Sequence, residues 1–139
     1  MFWGYPRPGC LPDEEYALIQ TRKGFIRKAI CHGVPVVPVY VFGNTKLFKR
    51  VELPALLESL SRLLKASLVL FWGRWGLPVP FQVPLLYAVG EAIQVGPPNP
   101  NPSTAEVDAL HRRFCEALVG LFDKHKADYG WAHKTLRLV

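Results

Sequence analysis

Four of the seven residues from Gly96 to Pro102 are proline. The backbone there cannot run on as helix or pair as a central strand, because proline lacks an N–H and holds φ fixed. The stretch therefore divides the chain. Directly after it, Ser103 and Glu106 stand at capping-box spacing, where each side chain can satisfy the other residue's exposed N–H. Val107, Leu110, Phe114, Leu118, Leu121 and Phe122 follow at helical intervals to about Lys126. The pattern predicts a long C-terminal amphipathic helix, and hence a core for its apolar stripe to face.

Upstream, the apolar residues Phe25, Ile26, Ala29 and Ile30 predict a helix over Thr21–His32, stopped by Gly33. The β-branched run Val36–Phe42 predicts a strand, and its continuous apolar character suggests one covered on both faces, as in a parallel sheet. Pro38 inside the run points to an edge or a bulge. Pro54 opens a second helix with a leucine stripe from Leu56 to Leu64. Ser67–Trp72 is a second strand candidate, and Leu85–Val89 with Ala92–Val95 a third region, kinked at Gly90. The first 20 or so residues read as an irregular lead-in ending in an acidic helical turn, Asp13-Glu14-Glu15. The fold class is α/β, with a few mostly parallel strands and flanking helices. Residues 1–20 form the lead-in and 21–139 one domain.

Half of the 139 residues are hydrophobic, which excludes a disordered chain. The longest apolar runs fall short of the roughly 20 residues that a membrane-crossing helix needs. Three widely spaced cysteines, Cys10, Cys31 and Cys115, argue against a disulfide framework or a zinc ribbon and fit a reducing compartment. Charge is uneven. From Thr21 to Arg74 there are ten cations and two anions, a local +8 within a net +6. Such a field favours an anionic partner: a phosphate-bearing cofactor, an anionic lipid surface or nucleic acid. Phe71-Trp72-Gly73-Arg74-Trp75 places aromatics beside a cation, which suits a membrane surface as well as a strand end.

Catalytic patterns are missing. There is no G-x-S-x-G, H-E-x-x-H, Walker loop or G-x-G-x-x-G. His111 lies within the last helix, where a surface or hydrogen-bonded structural histidine is expected. His125 and His133 read as solvated, and His32 suits the negative end of its helix. Cys31 reads as a small buried apolar residue. No catalytic residue and no metal site is assigned.

Two stretches are more specific. Arg22-Lys23-Gly24-Phe25 through Ala29, Gly33, Val37-Pro38 and Phe42-Gly43 resembles the R-x-G-F-x-[KR]-x-A-x3-G-x3-V-P-x3-F-G block of the type-2 diacylglycerol acyltransferase family. Val89-Gly90-Glu91-Ala92-Ile93-Gln94-Val95, Pro102-Ser103, Val107, His111, Ala117-Leu118, Leu121-Phe122 and His125-Lys126 are similar to that family's C-terminal motif. Phe71-Trp72-Gly73 and Pro78-Val79-Pro80 resemble its plant and algal members most closely. Asn44 replaces the usual Glu after F-G, and Ala92 the usual Pro. The family's His-Pro-His-Gly block (Glu-Pro-His-Ser in plants) and its hydrophobic N-terminal anchor are not in this sequence.

The resemblance implies the C-terminal half of an acyl-CoA-dependent acyltransferase that converts diacylglycerol to triacylglycerol at the cytosolic face of the endoplasmic reticulum. The expected form is a fragment, an incomplete gene model or a truncated paralogue. Acyl-CoA is expected as co-substrate with no resident cofactor, and diacylglycerol and a membrane surface as partners. No nucleic acid is expected, and homo- or hetero-oligomerisation is left open. Arg22, Lys23, Arg27 and Lys28 are candidates for the acyl-CoA phosphates, or equally for a solvated face near anionic headgroups. Gly24, Phe25, Gly33, Pro38, Phe42, Gly43 and Asn44 mark family motif positions, the glycines serving turns and close packing. The alternative is a non-catalytic remnant of the family that binds membranes or a partner.

Overall fold

The structure is a computed structural model, and it describes residues 13–47, 49–50, 71–72, 74–77 and 79–139. In chain order the elements are β1 (Glu14–Ala17), α1 (Gly24–His32), β2 (Val39–Phe42), β3 (Lys49–Arg50), β4 (Phe71–Trp72), β5 (Leu86–Val89), α2 (Thr104–His125) and β6 (Thr135–Leu138). Short 3-10 turns lie at Asn44–Lys46 and Arg74–Gly76. The expected helix from Pro54 and most of the expected strand before Trp72 lie outside the described residues. Contacts group the chain into two units, Met1–Phe42 with Leu86–Val139, and Gly43–Leu85.

In the first unit, α2 is set by its own sequence. The Ser103 hydroxyl accepts the Glu106 N–H at 3.2 Å, and the Glu106 carboxylate accepts the Ser103 N–H at 2.8 Å. The Ser103 N–H foremost, and then the Ser103 hydroxyl donating to the same carboxylate at 2.9 Å, hold the Glu106 carboxyl below its usual range. Its contribution is therefore present above the ordinary Glu pKa and is lost as pH falls through the lowered value. Ser103→Ala is expected to lower the melting temperature by about 3–5 °C, an effect that shrinks in acid. An unshifted melt at neutral pH would show that the cap contributes nothing.

The buried stripe of α2 packs with Ile26 and Ile30 of α1, Tyr40 and Phe42 of β2, Ala88 of β5, and Trp131. α1 begins at Gly24, three residues later than the sequence suggests. Arg22 and Lys23 instead sit in turns, with the Arg22 N–H on the Ile19 carbonyl (3.0 Å) and the Lys23 N–H on Thr21 (3.2 Å). At its other end Gly33 takes φ +62°, and a Cβ there would meet Pro98 at 2.9 Å. The proline segment thus closes the helix, with the Asn99 N–H donating to the Ile30 carbonyl at 3.0 Å.

Two expectations are corrected. Glu14 and Glu15 belong to strand β1 and not to a helical turn. β1 pairs in parallel with β6 (Glu14 with Thr135, Ala17 with Leu138), and its acids meet the cations of that distant segment. Arg137 Nε lies 3.0 Å from Glu14 and Lys134 Nζ 2.6 Å from Glu15. The strands are also not mostly parallel. β2 pairs antiparallel with β5 (Val39 with Val89, Phe42 with Leu86), and β3 with β4 is antiparallel too. The apolar run looked suited to a sheet covered on both faces, but β2 alternates. Tyr40 and Phe42 are buried while Val39 and Val41 are only half-buried, as an antiparallel sheet with one open face allows. Residues 92–95 form no strand; Ile93 makes a lone bridge with Val36.

Candidate functional site

The period-two alternation of β2 turns Val39 away from the core, toward a groove that Val37, two residues earlier, also lines. Its other walls are Ala17–Ile19 at the end of β1 and just beyond, Gly24 and Phe25 at the start of α1, and Phe114 and Leu118 of α2. The groove holds about 540 Å³, and among the described residues that line it Arg22 is the charged one. That volume and an apolar wall with one polar group match small-molecule sites generally, which run from roughly 300 to 1,000 Å³. Phe25 forms the lip. Its ring meets Phe114 edge to face at 5.1 Å, and it stays 38% exposed.

His111 is buried, and its Nε2 lies 3.0 Å from the Ile19 carbonyl oxygen. A carbonyl only accepts, so Nε2 carries the proton and donates. The Ile19 carbonyl thereby receives both His111 and the Arg22 N–H, which fixes the groove wall where Arg22 emerges. His111 is a positioning residue. The adjacent Cys115 thiol, 3.8 Å from Nδ1, is pushed up in pKa by burial and by the Glu116 charge. It stays protonated near neutrality, the opposite of what a nucleophilic thiol needs.

The four candidate cations do not form one cluster. Arg22 lines the groove. Lys23 reaches α2, with Nζ 2.7 Å from Asp108, in an exposed pair. Arg27 and Lys28 are exposed on α1, whose core side is Ile26, Ala29 and Ile30; helical periodicity places Lys28 opposite that side and Arg27 on the flank away from Phe25. Of the motif positions, Gly24 begins α1 with open space around it, and Phe25 is the groove's lip. Pro38 and Phe42 are fully buried, and the Pro38 carbonyl accepts the Gly90 N–H at 2.8 Å. Gly43, at φ +85°, turns the chain out of β2 into the 3-10 turn that Asn44 starts. Most of the motif is thus scaffold. Sequence reasoning missed Ala17–Ile19, Val37 and Leu118, though the period-two spacing of Val37 and Val39 was a signal for that face.

Among the described residues, no group of three His, Cys, Asp or Glu side chains is placed to hold a metal ion. No helix among them is long and apolar enough to cross a membrane.

A family model described as diacylglycerol acyltransferase matches residues 9–139, and the chain belongs to that family. It is 32% identical over 133 residues to human diacylglycerol O-acyltransferase 2, covering 86% of this chain and 34% of the relative. It is 36% identical to human 2-acylglycerol O-acyltransferase 3, covering 86% and 38%. Against mouse acyl-CoA wax alcohol acyltransferase 1 it is 33% identical, covering 93% and 42%. The chain therefore spans about a third to two-fifths of the length of these relatives. No solved structure matches it.

Proposed function

We propose that this chain forms the C-terminal part of an acyl-CoA-dependent O-acyltransferase of glycerolipid synthesis, acting on diacylglycerol to give triacylglycerol. The observation that carries the reading is an apolar groove of about 540 Å³ with Arg22 on its lining, in a chain of this family. A long acyl chain requires an apolar channel, and the phosphates of its CoA carrier require cations nearby. In this reading Arg22, on the lining of that groove, holds the phosphates. Arg27 and Lys28 add to the field that draws the anionic co-substrate in, and Lys23 does so less because Asp108 offsets it. In this reading the described elements are the C-terminal portion of an acyltransferase-like fold, working at the cytosolic face of the endoplasmic reticulum membrane. The Phe71-Trp72-Gly73 and Pro78-Val79-Pro80 stretches support a place near the plant and algal members.

The proton acceptor for the acyl acceptor's hydroxyl is not His111, whose Nε2 is engaged by Ile19. In this reading that role falls to a histidine of the kind in the family's His-Pro-His-Gly block, which these 139 residues do not contain. The same observation favours a second reading, in which the chain binds lipid or a partner and turns nothing over.

The two separate in one experiment. The chain is joined to the N-terminal portion of human diacylglycerol O-acyltransferase 2 and expressed in cells lacking triacylglycerol synthesis. Triacylglycerol is expected to return, and Arg22→Gln is expected to raise KM for acyl-CoA about tenfold while kcat changes little. A well-expressed, folded chimera that makes no triacylglycerol sinks the enzyme reading.

A further inference from the structure

Among the described residues of the second unit, one turn leaves an apolar tip exposed. In the turn Arg74–Val79 the Arg74 N–H donates to the Val79 carbonyl at 2.8 Å, and the Leu77 N–H to the Arg74 carbonyl at 3.2 Å. Within this closed turn Trp75 sits at φ +60°, in the left-handed region, which a side chain as bulky as indole rarely occupies. That conformation does not bury the ring. Trp75 is 75% exposed, Leu77 53%, and Val79 is exposed beside them. The Arg74 guanidinium carbon stands 4.4 Å over the indole. Backbone strain that holds a large apolar ring in water favours a role outside the fold.

We propose that this turn is an interfacial membrane anchor. Trp75 and Leu77 enter the headgroup–acyl boundary of a bilayer containing anionic phospholipid, and Arg74 stays with the phosphates. Two observations choose a bilayer over a protein. Tryptophan beside a cation is the pairing found at membrane–water boundaries, where the ring has an apolar body and the cation a polar destination. The unit Gly43–Leu85 also holds six Lys and Arg against two Glu, and an anionic leaflet rewards that balance. The inference deepens the glycerolipid reading by naming the element that meets the lipid. It is read out by binding alone, so its failure and the failure of acyl transfer are separate results.

The test is flotation of the 139-residue chain with phosphatidylcholine vesicles, with and without phosphatidylserine. Trp75→Gly removes the ring and suits the left-handed backbone, so loss of folding is not the expected outcome. It is expected to lower the partition coefficient at least about tenfold, with Trp75→Phe keeping most of the binding. Brominated acyl chains should quench tryptophan fluorescence in the wild type far more than in Trp75→Gly. Equal partitioning of the wild type and Trp75→Gly overturns the proposal. So does a wild type that fails to float. A Trp75→Gly effect confined to self-association without vesicles also overturns it and makes the tip a contact between copies.

Discussion

Phe122→Ala is expected to cost about 3–5 kcal/mol, the range for truncating a buried aromatic ring. Phe122 has no exposed surface and sits where α2 meets the β2–β5 sheet. Its ring stacks on Phe42 at 5.4 Å and 19°, and meets Tyr40 edge to face at 5.0 Å and 75°. Phe42 in turn meets Tyr129 and Trp131, both at 5.8 Å. Removing the ring takes a wall from both Phe42 and Tyr40 at once, and aromatic pairs add about 0.5–1.5 kcal/mol each beyond area burial. A chain of this size has ~7–20 kcal/mol in all, so the loss is a large share of it. It should lower the thermal midpoint by about 10–20 °C and weaken the near-ultraviolet circular dichroism of the cluster. Phe122→Leu, which keeps most of the volume, should cost roughly a third as much. A truncated variant that melts with the wild type would mean the cluster is not the core of this unit.

The helices were the most legible part of the fold, because their signals are local. The box at Ser103 and Glu106 and the stripe from Val107 to Phe122 need nothing beyond their own segment. The stripe Ile26, Ala29, Ile30 was equally plain, but the start of α1 was not. Arg22 and Lys23 are good helix formers, and only the turn bonds back to Ile19 and Thr21 hold them out of the helix. β1 was opaque for the opposite reason. Glu14 and Glu15 favour a strand only because Arg137 and Lys134 return more than 100 residues later, and no window on the sequence contains both sides. The groove is drawn from four elements, so only its β2 face had a local trace. Counting charges recorded a field of +8 between Thr21 and Arg74. It did not show that Lys23 is shared with Asp108 while Arg22 lines the groove.

Lys134→Met should be nearly as damaging as Phe122→Ala, through charge and not volume. The Glu15 side chain is 7% exposed, and Lys134 Nζ lies 2.6 Å from its Oε1. The same ammonium stands 4.4 Å over the Trp131 ring, which adds a cation–π attraction on its far side. Next to burial itself, the Glu15 charge also pushes the Tyr40 and Tyr129 hydroxyls above the ordinary phenol range, so its field reaches the core. Taking away only the lysine leaves a carboxylate with little water to solvate it. Breaking a fully buried pair in this way costs about 3–5 kcal/mol. Lys134 keeps 16% of its side-chain exposure, which places the expected loss nearer ~2–4 kcal/mol. Replacing both ends, Glu15→Met with Lys134→Met, removes the stranded charge and should recover most of the loss. The cycle built from the two single variants, the double variant and the wild type isolates the coupling. A Lys134→Met chain with wild-type stability would show that the pair does not hold β6 against β1. A double variant no better than Lys134→Met would show that the lysine acts through its packing on Trp131 and not through its charge.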